Sequence, residues 1–151
     1  ENASANLANA KPIIVDANMV SAGIIKDRLP EGSQVKCFLN DGSVPDMAKS
    51  MATTRSAAAV ELWRPFLDGA IVSIGNAPTA LFHLIDMLDD STCPRPAVIF
   101  GFPVGFVGAA ESKSYLIEKN LGIPYITLTG RIGGSALAAA AVNAILLGGT
   151  I

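Results

Sequence analysis

The sequence predicts an α/β fold, a three-layer α/β/α sandwich around a mostly parallel sheet of about five strands, and three observations carry the prediction. Short apolar runs rich in Val and Ile recur along the chain without the alternation of a half-exposed strand. Stretches with apolar residues at three- and four-residue spacing separate these runs. Parallel strands cannot be joined by hairpins, so strands that alternate with helices imply right-handed crossovers and a sheet covered on both faces.

The first run, residues 12–15, leads into Asp16, Asn18 and Met19. The second, residues 35–39, leads into Asn40-Asp41-Gly42 and a helical segment ending at Thr53-Thr54-Arg55-Ser56. A helix over 56–67 follows, with Ala59, Leu62, Trp63 and Phe66 on one face. The third run, 70–74, delivers Gly75, Asn76 and Thr79 to its end, and a helix over 79–88 aligns Leu81, Leu84, Ile85 and Leu88. The fourth, 97–100, opens into a Gly/Pro-rich turn through Gly108 and a helix over 111–120; the fifth, 125–128, is followed by Thr129, Gly130, Arg131 and Gly133. The last helix, 134–147, is dominated by alanines, a surface suited to close packing against the sheet or another subunit.

The 151 residues suit one domain over 1–151, with a core that needs neither disulfides nor metal. Residues 3–9 read like the last turns of a helix stopped before Lys11-Pro12, so the chain is expected to be N-terminally incomplete. Half of the residues are hydrophobic and 16% are charged, which predicts a surface shared with a partner chain. Eleven scattered Lys and Arg in a chain of net charge −2 argue against nucleic acid. The longest apolar stretch, 136–147, is interrupted by Asn143 and falls short of the ~20 residues of a spanning helix. With no leader pattern, a cytoplasmic location is expected. Cys37 and Cys93 read as free thiols, and no His or Cys cluster suggests a metal.

Ligands of open parallel sheets bind beyond the carboxyl ends of the strands. Asn76-Ala77-Pro78-Thr79 reads as a helix start with Pro78 in its first turn, and the unpaired N–H groups there favour an anion, the alternative being that Asn76 caps that helix. Glycines 101, 105 and 108 do not have the dinucleotide-binding spacing, and no acidic residue ends the strand that follows them, as that fingerprint requires. Arg55 opens a helix, where a cation opposes the helix dipole; that suggests an external anion, against a solvated or ion-paired Arg. Arg131, between glycines, has the same standing. Asp16 is either a site carboxylate or a turn-forming side chain. Glu111 and Lys113 read as capping and surface charges, and His83, between Phe82 and Leu84, as a structural histidine. Physical reasoning alone thus yields an anion-binding α/β domain of open reaction.

Five motifs in uninterrupted order across residues 12–145 carry a resemblance: Pro12-Ile-Ile-Val-Asp-Ala-Asn-Met-Val, Thr54-Arg-Ser-Ala-Ala-Ala, Ile74-Gly-Asn-Ala-Pro-Thr-Ala-Leu-Phe, Pro103-Val-Gly-Phe-Val-Gly-Ala-Ala-Glu-Ser-Lys and Gly130-Arg-Ile-Gly-Gly-Ser-Ala-Leu. Together they resemble the precorrin-8X methylmutase (precorrin isomerase) family. The resemblance implies an isomerase of cobalamin biosynthesis that moves a methyl group from C-11 to C-12 of the corrinoid ring, giving hydrogenobyrinate or its cobalt-bearing equivalent. It implies a homodimer without cofactor or metal. The family's proton-donating histidine belongs to a segment before the first strand, so the resemblance places the catalyst upstream of Glu1, and His83 does not inherit the role. It assigns substrate binding to Asp16, Met19, Thr54, Arg55, Ser56, Asn76, Thr79, Gly105, Phe106 and Arg131. Near Ile25 the family often has a polar Thr, a local departure. A non-catalytic corrinoid carrier is the alternative, with a nucleotide-binding domain behind it.

Overall fold

The computed structural model describes residues 10–148, and the helical reading of residues 3–9 lies outside them. Five strands, β1 Ile13–Val15, β2 Val35–Cys37, β3 Ile71–Ile74, β4 Val98–Gly101 and β5 Tyr125–Thr127, form one parallel sheet in the order β2-β1-β3-β4-β5. Four fall inside a predicted apolar run, and β4 extends one residue past its run, to Gly101. The three central strands are buried throughout, whereas β2 and β5 at the edges are only partly covered. That gradient explains why β1, β3 and β4 read as unbroken apolar runs: both of their faces lie in the interior.

Alternate residues of the strands face opposite layers. Ile14, Val72, Ile74 and Ile99 pack with helices α3 Arg55–Glu61, α4 Pro78–Asp89 and α5 Ala109–Lys119 through Val60, Leu81, Leu84 and Leu116. Ile13, Val15, Ile71, Val98 and Phe100 pack on the other face against α1 Asn18–Gly23 and α6 Ser135–Leu146. Each fully buried Leu or Ile contributes about 1.5–3 kcal/mol, so these two layers hold the sheet. The remaining helix, α2 Val44–Ser50, closes over α3 with Val44 and Ala48 against Ala58 and Ala59. The small residues of α6 serve this packing: the Ser73 hydroxyl in β3 donates to the Ala138 carbonyl at 3.0 Å, which only a helix without bulk on that face permits.

Two elements differ from the expectation. The helix foreseen over 56–67 stops at Glu61, and a 3₁₀ turn at Arg64–Phe66 replaces its end, because Pro65 has no N–H to continue an α-helical ladder. The six-residue α1 was not foreseen; it carries no side-chain cap and is held by α6, whose Asn143 amide accepts from Ile25 N–H and donates to the Gly23 carbonyl.

Candidate functional site

Strand order reverses between β1 and β3, so the crevice beyond Val15 and Ile74 is where a doubly wound sheet ordinarily receives its ligand. Here the chain fills that place itself. Asp16, only 3% exposed, accepts from Gly75 N–H at 2.9 Å with one oxygen, and from Asn76 N–H at 3.0 Å and Ala77 N–H at 2.8 Å with the other. Burial pushes the Asp16 carboxyl above its ordinary value of 3.8, against the three N–H bonds that pull it down. A Cβ at Gly75 would stand 2.7 Å from the Ala138 Cβ and 2.8 Å from the Ser135 Cα, so only glycine lets α6 seat against this loop.

The expectation that these N–H groups stand ready for an external anion is therefore corrected: an internal carboxylate already holds them. Nor does Asn76 cap α4, whose N-cap is Ala77 with no side-chain bond.

A second charge is buried beneath the loop that follows β5. Lys113, in the second turn of α5, is wholly enclosed, and its ammonium donates to the Gly130 carbonyl at 3.0 Å and to the Ile132 carbonyl. This corrects its reading as a surface charge. Burial pushes its ammonium below the ordinary lysine value of 10.5. The same loop is clamped from below, where Gly134 N–H donates to the Phe102 carbonyl at 2.8 Å and a Cβ on Gly133 would collide with the carbonyl oxygens of Phe102 and Pro103.

Above these two anchors the side chains turn outward. Phe106 is 85% exposed, Val107 88%, Met19 74% and Ile132 71%, and the Arg131 guanidinium lies 5.9 Å from the Phe106 ring centroid, within cation–π range. Exposed Asn76 is joined to this rim through its carbonyl, which accepts from Val104 N–H at 3.3 Å. On the other side the Thr54 hydroxyl caps α3 by accepting from Ala57 N–H at 3.1 Å and bonds the Thr79 hydroxyl at 2.8 Å, bringing the starts of α3 and α4 together. Arg55 follows at the first position of α3, exposed, with no acidic partner among the described residues.

Of the ten residues expected to bind, seven lie in the loops beyond the strand ends or at the helix starts that follow them, and Thr54, Arg55 and Ser56 lie at the start of α3, which follows α2. Met19, Thr54, Arg55, Asn76, Thr79, Phe106 and Arg131 are exposed there, Ser56 and Gly105 are half-buried, and Asp16 lies beneath as the anchor of a loop. Sequence reasoning missed Lys113, although Ala109, Ser112, Lys113 and Leu116 form a buried stripe at helical spacing that could have revealed it. It also missed that His83 Nε2 and Glu61 Oε1 meet at 2.6 Å across α4 and α3. His83 also lines a shallow cleft of about 210 Å³ with Thr53, Ala57, Thr79, Phe82 and Asp86, smaller than the about 300–1,000 Å³ of a typical ligand pocket. No described helix is long and apolar enough to cross a membrane.

A family model described as precorrin-8X methylmutase matches residues 1–147. The chain is similar to a precorrin-8X methylmutase of Pseudomonas aeruginosa strain PAO1, with 55% identity over 141 residues, 93% of this chain and 67% of that protein. It is similar as well to a cobalt-precorrin-8 methylmutase of Methanocaldococcus jannaschii, 43% identical over 136 residues, 90% of this chain and 60% of that one. A crystal structure of precorrin-8X methyl mutase from Thermus thermophilus matches with a TM-score of 0.83 and 36% identity, covering 99% of this chain and 74% of that one. The chain spans 60 to 68% of the length of the Pseudomonas and Methanocaldococcus proteins and of a precorrin-8X methylmutase from a Sinorhizobium species.

Proposed function

The chain belongs to the precorrin-8X methylmutase family, and from that premise we propose that it serves the isomerisation of precorrin-8X in corrin biosynthesis. A methyl group moves from C-11 to C-12, and the product is hydrogenobyrinate or the cobalt-bearing equivalent. Such a shift leaves the composition and oxidation level of the molecule unchanged, so the step needs no electron carrier.

The observation that best supports this reading is the rim itself. Arg55 and Arg131 are exposed and form no ion pair among the described residues, Arg131 lies over the Phe106 ring, and Met19, Phe106 and Ile132 leave bare apolar side chains beyond the strand ends. A macrocycle with an apolar face and a carboxylate periphery has the complementary chemistry: planar guanidinium groups take carboxylates bidentately, while Phe106 and Met19 cover the ring. Asn76, Thr79, Thr54 and Ser56 supply hydroxyl and amide contacts, and the Gly105 backbone lets the ring approach the loop. In this reading Asp16 binds no substrate atom and instead holds the loop that carries Asn76. Residues 1–151 act as one domain, in the cytoplasm and as a homodimer whose second copy covers part of the apolar rim.

Titration of the protein with hydrogenobyrinate, followed by the pigment's absorption, tests the assignment. Arg131→Ala and Arg55→Ala are each expected to weaken binding about tenfold, the loss of one charge-assisted contact of about 1.4 kcal/mol. Identical titration curves for both variants and the parent would overturn the arginine roles.

A further inference from the structure

Lys113 is used by nothing described so far, and its environment is unusual. A fully enclosed ammonium costs several kcal/mol unless a counter-charge or a full set of acceptors compensates it. Among the described residues no carboxylate pairs with it, and its acceptors are two main-chain carbonyls. Those carbonyls are not arbitrary: they belong to Gly130 and Ile132, the residues on either side of Arg131.

We propose that Lys113 is a positioning residue that sets the direction of the Arg131 side chain over Phe106 by fixing the carbonyls on both sides of it. The proposal rests on the binding role given above to Arg131 and extends it to a residue that cannot touch the ligand. Each bond removes freedom from the backbone flanking Arg131, in a loop whose Gly130 sits at φ +79° and would otherwise allow many directions. The tether also links the two loops that build the rim. Lys113 stands in the helix that follows the Phe106 loop, so one ammonium couples the position of the ring to that of the guanidinium above it. A methionine would fill the same volume without desolvating a charge, but it would leave both carbonyls without a donor. The buried positive charge lies directly under the loop and adds to the attraction of Arg131 for an anion.

The test has a pigment-free arm and a pigment arm. Without pigment, the Arg131 Nε–H resonance of the parent protein is expected to be displaced by the Phe106 ring, and Lys113→Met is expected to return it to the value found in Phe106→Ala. An unmoved Arg131 resonance in Lys113→Met overturns the positioning role whatever the pigment does. With hydrogenobyrinate, Lys113→Met is expected to weaken binding about tenfold in the parent but less than about twofold in an Arg131→Ala background, since residues of one network are non-additive. Equal losses in both backgrounds would mean general damage and overturn the proposal. If no variant and no parent binds pigment while the resonance still moves, the functional reading fails and the positioning role stands. Lys113→Leu, which is shorter and likewise has no donor for the two carbonyls, carries the same measurements and the same expected outcomes should the Met variant not fold.

Discussion

The loops after β3 and after β5 are built on opposite principles. In the first, a buried anion gathers three N–H groups at residues 75–77; in the second, a buried cation gathers two carbonyls at residues 130 and 132. The first lies at the point where strand order reverses and has used up its donors on Asp16. The second lies beside the open edge of the sheet and leaves Arg131 and Ile132 free to meet a ligand. The difference separates scaffold from proposed recognition: the place that topology marks as the usual ligand crevice is structural here, and the function proposed above puts the binding chemistry on the rim above and beside it.

The strongest way to break this contrast is Asp16→Asn. The amide offers one acceptor in place of two and turns donors toward backbone donors, so a loss of about 3 kcal/mol in urea unfolding is expected. Lys113→Met should cost less in stability than in binding, because removing the buried charge itself offsets part of the two lost bonds. If Asp16→Asn left stability intact while Lys113→Met unfolded the protein, the assignment of scaffold and recognition would be reversed.

A second test uses pH, since the two groups must respond in opposite windows. The raised Asp16 pKa means that the folded protein takes the proton more readily than the unfolded chain. Its contribution to stability therefore increases as pH falls through the folded value toward 3.8 and is least favourable above it. Lys113, lowered from 10.5, gives the reverse: its contribution is least favourable at low and neutral pH and improves as pH rises through the folded value toward 10.5. Unfolding free energies of parent minus Asp16→Asn, and of parent minus Lys113→Met, should slope with pH in these two ranges and be flat between them.

The smallest effect is expected at the cleft between α3 and α4. Glu61→Gln keeps a hydrogen bond to His83 and removes one charge from a partly exposed pair, so its cost should be under about 1 kcal/mol. Hydrogenobyrinate affinity should stay within about twofold, since neither Glu61 nor His83 is among the residues given a binding role. A larger loss of affinity would extend the recognition surface down that side.

Local pattern made most of the fold legible. Apolar runs identified all five strands because the central ones are enclosed on both faces, and helical spacing identified α4, α5 and α6. The loops that carry the rim were legible too, being the Gly- and Pro-rich joints between strand and helix. What could not be read depends on partners distant in sequence. Asp16 meets Gly75 only because β1 and β3 are neighbours, and Glu61 meets His83 only because α3 lies along α4. Lys113 differs, since its place in a buried stripe was visible; the ordinary tendency of lysine to stay in water hid it.

The short edges of the sheet have a consequence of another kind. β2 and β5 are three residues each, Lys36 stands in the middle of one, and Pro124 precedes the other. An edge so brief, interrupted by a charge or by a residue without an N–H, is a poor template for adding a strand from another molecule. A chain that is half hydrophobic is thereby guarded against runaway fibre growth through its backbone, and the contacts left open to it are those of side chains, which can select a partner by shape.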